Sequence, residues 1–342
     1  MKHHQVTILD IARMLGISKS TVSRALTNHP RVKPETRKAV LELAEELDYQ
    51  PNMMAINLVS NKSFTMGIIV PEFVTSFFPQ VVIGAQQEAA KAGYTVLISP
   101  SNEDYNTEVS NTKVMLANRV DGMMISLTKE TKNFDHLKIF QRKGIPLVFY
   151  NRVCSEMMVP KVVIDDYEAA YRAVEHLIKS GRKRIAHLAG PEGLPISQKR
   201  LNGYKDALKK YNIPINEELI ISYDLTLTKV AIYIRHFVNM PEPPDALFAI
   251  NDPTAIEAIK VITSMGLRIP QDIAIVGFGN NYGSDFISPG LTTVNVPVQE
   301  IGRTAMGMLL SMVNKEPAQW KAVTKVLDTE LIVRGSSVGE SK

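Results

Sequence analysis

From Thr65 onward, apolar runs of four or five residues alternate with longer amphipathic stretches, and this rhythm restricts the fold more than any other feature of the chain. The runs are Met66-Gly67-Ile68-Ile69-Val70, Thr95-Val96-Leu97-Ile98, Gly122-Met123-Met124-Ile125, Pro146-Leu147-Val148-Phe149, Ile185-Ala186-His187-Leu188, Ala246-Leu247-Phe248-Ala249-Ile250 and Ile273-Ala274-Ile275-Val276. Strands apolar throughout, rather than at every second position, must be covered on both faces, which calls for parallel sheets flanked by helices. Gly93, Gly144, Gly181 and Gly266 follow the helical patterns, and Pro146 and Pro270 precede the next strands. About nine strands predict an α/β body of two doubly wound parallel-sheet lobes.

Composition narrows the class further. With 342 residues, 45% hydrophobic and 22% charged, the chain is ordinary globular protein, and disorder, collagen and coiled coil are excluded. The single cysteine, Cys154, can form neither an internal disulfide nor a CxxC pair and fits a reducing compartment. Met1-Lys2-His3-His4-Gln5 leads straight into a polar helix pattern, and no later stretch reaches about 18 uncharged apolar residues. The expectation is a soluble cytoplasmic protein without a membrane partner.

Net charge is +4, but residues 1 to 38 hold eight Lys and Arg against Asp10 and Glu35, so this stretch carries +6 and the remainder −2. Such a basic module neutralises phosphates and is the electrostatic footprint of nucleic-acid binding. Thr7 with Asp10 can cap a first helix whose Ile8, Ile11, Ala12 and Leu15 share one face. Gly16 ends it. Ser18 caps a second helix that turns Val22, Ala25 and Leu26 inward and leaves Lys19, Ser20 and Arg24 outside. Pro34 opens a third, with Val40, Leu43, Ala44 and Leu47 on one side. The pattern predicts an all-α helix-turn-helix headpiece whose second helix enters a major groove: Arg24 can bridge guanine O6 and N7, Lys19 can reach a base or phosphate, and Ser20, Thr21 and Ser23 can bond either.

Val6-Thr7-Ile8-Leu9-Asp10-Ile11-Ala12, Gly16 through Leu26, Arg31-Val32, Glu35-Thr36-Arg37 and Leu47-Asp48-Tyr49-Gln50-Pro51-Asn52 together resemble the headpiece of the lactose/galactose repressor (LacI/GalR) family. The resemblance continues through Val120-Asp121-Gly122, Val174-Glu175-His176-Leu177, Arg200-Leu201-Asn202-Gly203-Tyr204, Ala249-Ile250-Asn251-Asp252 and Leu291-Thr292-Thr293-Val294, and so covers nearly the whole chain. It implies a periplasmic-binding-protein-like body, a homodimer on a palindromic operator in double-stranded DNA, and a small polar, sugar-like effector between the lobes. It also implies a hinge helix in residues 51 to 63 whose residue matching Leu58 wedges into the minor groove. The DNA-contacting set so expected is Thr7, Ser18, Lys19, Ser20, Thr21, Ser23 and Arg24 with Asn52, Ala55 and Leu58. Thr27 and Ile56 depart from the family pattern.

Ligands of doubly wound sheets lie beyond the carboxyl ends of the strands. Phe77 and Phe78 follow the first run, Asn151 and Arg152 the fourth, and Arg200 comes after Gly190-Pro191. Asn251-Asp252 and Gly279-Asn280-Asn281 follow later runs. The expected effector set is Phe77, Phe78, Asn151, Arg200, Asn251, Asp252, Gly279 and Asn280. Gly279 and Asn151 stand where relatives often have Asp, so two carboxylates that chelate sugar hydroxyls are missing, while Arg200 admits polar or anionic effectors. The resemblance also implies three crossovers near 163, 292 and 326. The boundaries are then a headpiece over 1–50, a linker over 51–63, an N-lobe over 64–163 and 293–326, and a C-lobe over 164–292 and 327–342.

Other motifs point nowhere. Gly277-Phe278-Gly279-Asn280-Asn281-Tyr282-Gly283 misses the dinucleotide spacing, and the Ser284–Gly290 stretch is broken by Pro289. The histidines show no HxxxH pair, which argues against a metal. No catalytic constellation is visible. The sequence reads as a DNA-binding transcriptional regulator, a repressor type, with no cofactor; the alternative is a sugar-binding protein without DNA function.

Overall fold

The computed structural model describes residues 6–50 and 62–338, and the chain divides into two compact units, Met1–Ser63 and Phe64–Lys342. In the first unit α1 (Ile8–Met14), α2 (Lys19–Leu26) and α3 (Pro34–Glu46) close over Ile11, Val22, Ala25, Val32, Val40 and Ala44. The periodicity of these positions is what makes them meet, since residues three and four apart share a helix face. Gly16 turns the chain between α1 and α2 at φ +61, a conformation a side chain would resist.

The second unit carries two six-stranded sheets. The first lobe is built from β1 (Thr65–Val70), α4 (Phe77–Lys91), β2 (Thr95–Pro100), α5 (Tyr105–Ala117), β3 (Gly122–Ile125), α6 (Asp135–Arg142), β4 (Leu147–Tyr150) and β5 (Lys161–Ile164). The second follows with α7 (Asp166–Lys179), β6 (Ile185–Ala189), α8 (Pro195–Lys210), β7 (Ile220–Ser222), α9 (Leu227–Val238), β8 (Ala246–Ala249), α10 (Asp252–Ser264), β9 (Ala274–Gly279) and β10 (Thr292–Asn295). The chain then returns to the first lobe for α11 (Val298–Val313) and β11 (Thr324–Leu327) and crosses again for β12 (Glu330–Ile332). Strand order is β11-β5-β4-β3-β1-β2 in one sheet and β12-β10-β9-β8-β6-β7 in the other; every pairing is parallel except β10 with β12. All seven apolar runs form strands; six are buried as two-sided coverage requires, while β2, at the edge of its sheet, is half-buried.

The second crossover comes after Asn295, three residues beyond the expected boundary. β10 pairs in parallel with β9, Thr292 against Val276, so 293–295 belong to the second sheet. The strand escapes a hydrophobicity reading because its buried Thr292 and Thr293 are polar. Their hydroxyls are satisfied by the Arg334 carbonyl at 2.9 Å and by Asp252 at 2.6 Å. Ile164 and Leu327 likewise end strands of the first sheet, one residue past their expected boundaries.

The helix pairs that thicken each lobe approach through glycine. A Cβ on Gly84 of α4 would run into the Gln299 carbonyl, and one on Gly302 of α11 into the Val81 carbonyl, so these two backbones touch directly. No helix among the described residues is long and apolar enough to cross a membrane.

Candidate functional site

The headpiece surface is organised by its caps. The Thr7 N–H and hydroxyl both donate to the Asp10 carboxylate, at 2.9 and 2.7 Å. Ser18 Oγ accepts the Thr21 N–H at 3.1 Å and lies 2.8 Å from both Ser20 Oγ and Thr21 Oγ1, which fixes the first turn of α2. Val22 and Ala25 are buried, whereas Lys19, Ser20, Ser23 and Arg24 are exposed together and Thr21 is half-buried. Lys19 and Arg24 have no side-chain partner among the described residues. Arg13 by contrast sits 3.8 Å from Asp10, and Arg37 donates to the His29 carbonyl at 3.0 Å. The Thr27 hydroxyl bonds back to the Ser23 carbonyl at 3.0 Å, so the departure at this position is absorbed within the end of α2. Asn52, Ala55, Ile56 and Leu58 lie outside the described residues.

In the body, a cleft of about 420 Å³ opens between the lobes at the carboxyl ends of their strands. Of the expected set, Phe77, Phe78, Asn151, Arg200, Asn251 and Gly279 line it. Asp252 does not. It is fully buried at the start of α10, where its carboxylate accepts the Thr293 hydroxyl at 2.6 Å, the Asn281 N–H at 2.7 Å and the Ser284 hydroxyl at 2.8 Å, and so ties β10 and the loop after β9 to the helix. Burial pushes this carboxyl up, while those donors pull it back. Asn280 is also turned away from the cleft: its amide donates to Asn295 at 3.0 Å and accepts from Arg334 at 3.1 Å.

Arg200 reaches the cleft with most of its donors already used. Its Nε and Nη2 donate to Asp166 Oδ1 at 2.9 and 2.7 Å, and Nη1 donates to the Ile250 carbonyl at 2.6 Å. The guanidinium carbon stands 3.6 Å from the Phe278 ring centroid, a cation–π stack inside the wall. Its counter-ion comes from Asp166, the first residue of α7, two residues after β5, a strand outside the seven apolar runs.

Several further groups line the cleft. Glu103 and Asn102 follow β2 at φ +59 and +53, a left-handed pair that aims the glutamate inward. Arg152 Nη1 donates to both Glu103 oxygens at 2.8 Å. The Lys129 N–H also donates to Glu103, at 2.9 Å, and Lys129 Nζ reaches across to the Asp224 carbonyl of the other lobe at 3.5 Å. Asp224 pairs with Lys229 at 2.8 Å, which holds its carboxyl far below the usual carboxylate range. Glu103, Lys129 and Asp224 also follow strands, so the strand-end rule that picked out the other residues reaches them too. Asn251 caps α10 through the Thr254 N–H at 2.9 Å. Gly279 sits at φ +132, where an Asp would be strained. Among the described residues no group of His, Cys, Asp and Glu could hold a metal ion.

Comparison with known proteins extends over both units. Residues 7–52 match the family described as bacterial regulatory proteins, lacI family, and residues 63–327 match periplasmic binding proteins and sugar binding domain of LacI family. The HTH-type transcriptional repressor CytR of Escherichia coli (strain K12) is 35% identical over 97% of this chain and 96% of its own length. Among solved structures, the lac repressor dimer bound to operator and the anti-inducer ONPF matches with a TM-score of 0.86 at 25% identity, covering 98% of this chain and 99% of that one. The complex of the transcriptional regulator CelR with cellobiose matches at 0.73 and 27% identity, covering 97% and 99%.

Proposed function

From the premise that the chain belongs to the LacI family of bacterial regulatory proteins, we propose that it is a cytoplasmic transcriptional repressor that binds operator DNA as a homodimer under the control of a small polar effector. The observation that carries the reading is the exposed face of α2, where Lys19 and Arg24 stand without a side-chain partner among the described residues, beside Ser20 and Ser23 on a buried Val22–Ala25 seam. Unpaired cations held by a rigid helix are suited to guanine edges and phosphates, since no internal contact need be broken on binding. Leu58 is assigned the minor-groove wedge, with Asn52 and Ala55 beside it. The cleft is assigned to the effector, of the sugar type that the matched body family and the cellobiose-bound relative handle. Its regulatory effect follows from a preference for one arrangement of the lobes over another. No catalytic chemistry is assigned.

Selection of bound sites from a random duplex library at moderate salt tests the proposal. Enrichment of a palindrome with half-sites spaced for a two-fold dimer is expected. Retention without sequence enrichment, repeated at lower salt and with the effector panel described below, overturns base reading by α2.

A further inference from the structure

The charged residues that line the cleft are balanced. Glu72, Glu103 and Asp224 face Lys129, Arg152 and Arg200. Both guanidinium groups are already committed, Arg152 to Glu103 and Arg200 to Asp166. The Arg152 side chain is 9% exposed, and its Nε is buried with no hydrogen-bond partner. An arginine whose charge is already met by a carboxylate can offer its remaining N–H groups to a hydroxyl or carbonyl oxygen without unpairing that carboxylate, which suits a neutral acceptor. An anion would have to displace the Glu103 carboxylate, leaving it unpaired in the wall, or else pair with Lys129, whose Nζ holds only the Asp224 carbonyl at 3.5 Å, while lying against Glu72, Glu103 and Asp224.

Glu103 is held for this task by three loops at once. Its backbone is fixed in the left-handed region after β2, its carboxylate accepts the Lys129 N–H after β3, and it receives Arg152 after β4. We propose that Glu103 is the specificity-determining residue of the cleft: by neutralising Arg152 it reserves the site for an uncharged polar ligand, and it rejects the uronate and phosphate forms of the same ligand. This rests on the cleft being the effector site.

The experiment uses the full-length protein and a panel of neutral mono- and disaccharides, each paired with its uronic acid or its phosphate. Thermal shift serves as the screen and calorimetry gives affinities. In the wild type the neutral member of each bound pair should bind more tightly. In Glu103→Gln the preference should move at least tenfold toward the charged member, about 1.4 kcal/mol, because Arg152 is released. Adding Arg152→Gln should erase that gain. Glu103→Asp, which keeps the charge but shortens its reach to Arg152, should shift the ratio in the same direction by a smaller factor and keeps the test available if Glu103→Gln does not fold. A charged sugar that binds the wild type as tightly as its neutral partner overturns the proposal, as does a ratio unchanged in both variants. Binding of either form that is indifferent to Phe77→Ala would instead place the ligand outside the cleft and overturn the effector-site reading itself.

Discussion

Arg200 and Asp166 form an ion pair inside the second lobe, Nη2 to Oδ1 at 2.7 Å, with both side chains at least nine-tenths buried. The pair joins the first turn of α7 to α8, and of the two residues Arg200 lines the cleft. Burial alone pushes the Asp166 carboxyl up, and Arg200 opposes that push. Arg200→Ala strands the carboxylate, and the expected loss is about 3 to 5 kcal/mol at neutral pH. The loss should shrink as the pH is lowered, because the stranded Asp166 then takes up a proton. Urea denaturation at neutral and mildly acidic pH measures both parts; a deficit independent of pH would assign the cost to lost packing on Phe278.

His187 predicts the acid limit of the body. It is fully buried, its Nδ1 bonds the Phe248 carbonyl at 2.9 Å, and its Nε2 has no partner. Desolvation therefore holds its pKa down at about 4, against an ordinary 6.5. The folded state keeps the ring neutral while the unfolded chain protonates it. The associated stability is thus complete above pH 6.5 and is lost progressively as the pH falls toward 4, about 3 kcal/mol in all. His187→Gln should flatten this part of the pH–stability curve, read by denaturation across that range.

Arg24→Ala should lose about 1 to 3 kcal/mol on the selected operator while leaving affinity for random duplex nearly unchanged, measured by fluorescence anisotropy at one fixed salt concentration. Equal losses on both DNAs would make Arg24 a phosphate contact. Ser18→Ala, which removes the acceptor for the Thr21 N–H, should instead cost about 1 kcal/mol of headpiece stability and weaken both DNAs together.

Gly302→Ala should destabilise the first lobe by about 1 to 3 kcal/mol or more, since the added methyl meets the Val81 backbone carbonyl, which cannot rotate away as a side chain can. Gly307→Ala on the same helix has open space and serves as the control, with little change or a small gain from helix propensity. Thermal denaturation of the two variants side by side checks the assignment.

The chain's own order of residues determined what depends on local pattern. Apolar runs read along the sequence became β1 to β4, β6, β8 and β9, and the spacing of Ile11, Val22, Ala25, Val40 and Ala44 closed the headpiece. Lys19 and Arg24 were legible as surface cations because helix periodicity says which face a residue takes. What the tertiary structure alone decided is where the counter-charges fall. Nothing in the spacing of Asp166 and Arg200, of Glu103 and Arg152, or of Asp252 and Thr293 announces that these groups meet. A buried polar group must find a partner wherever the fold brings one, and in a doubly wound body those partners come from loops separated by whole strand–helix units. That is why Asp252 and Asn280, placed by sequence beside the ligand, serve the frame instead, and why Arg200, legible as a cation, became half of an ion pair.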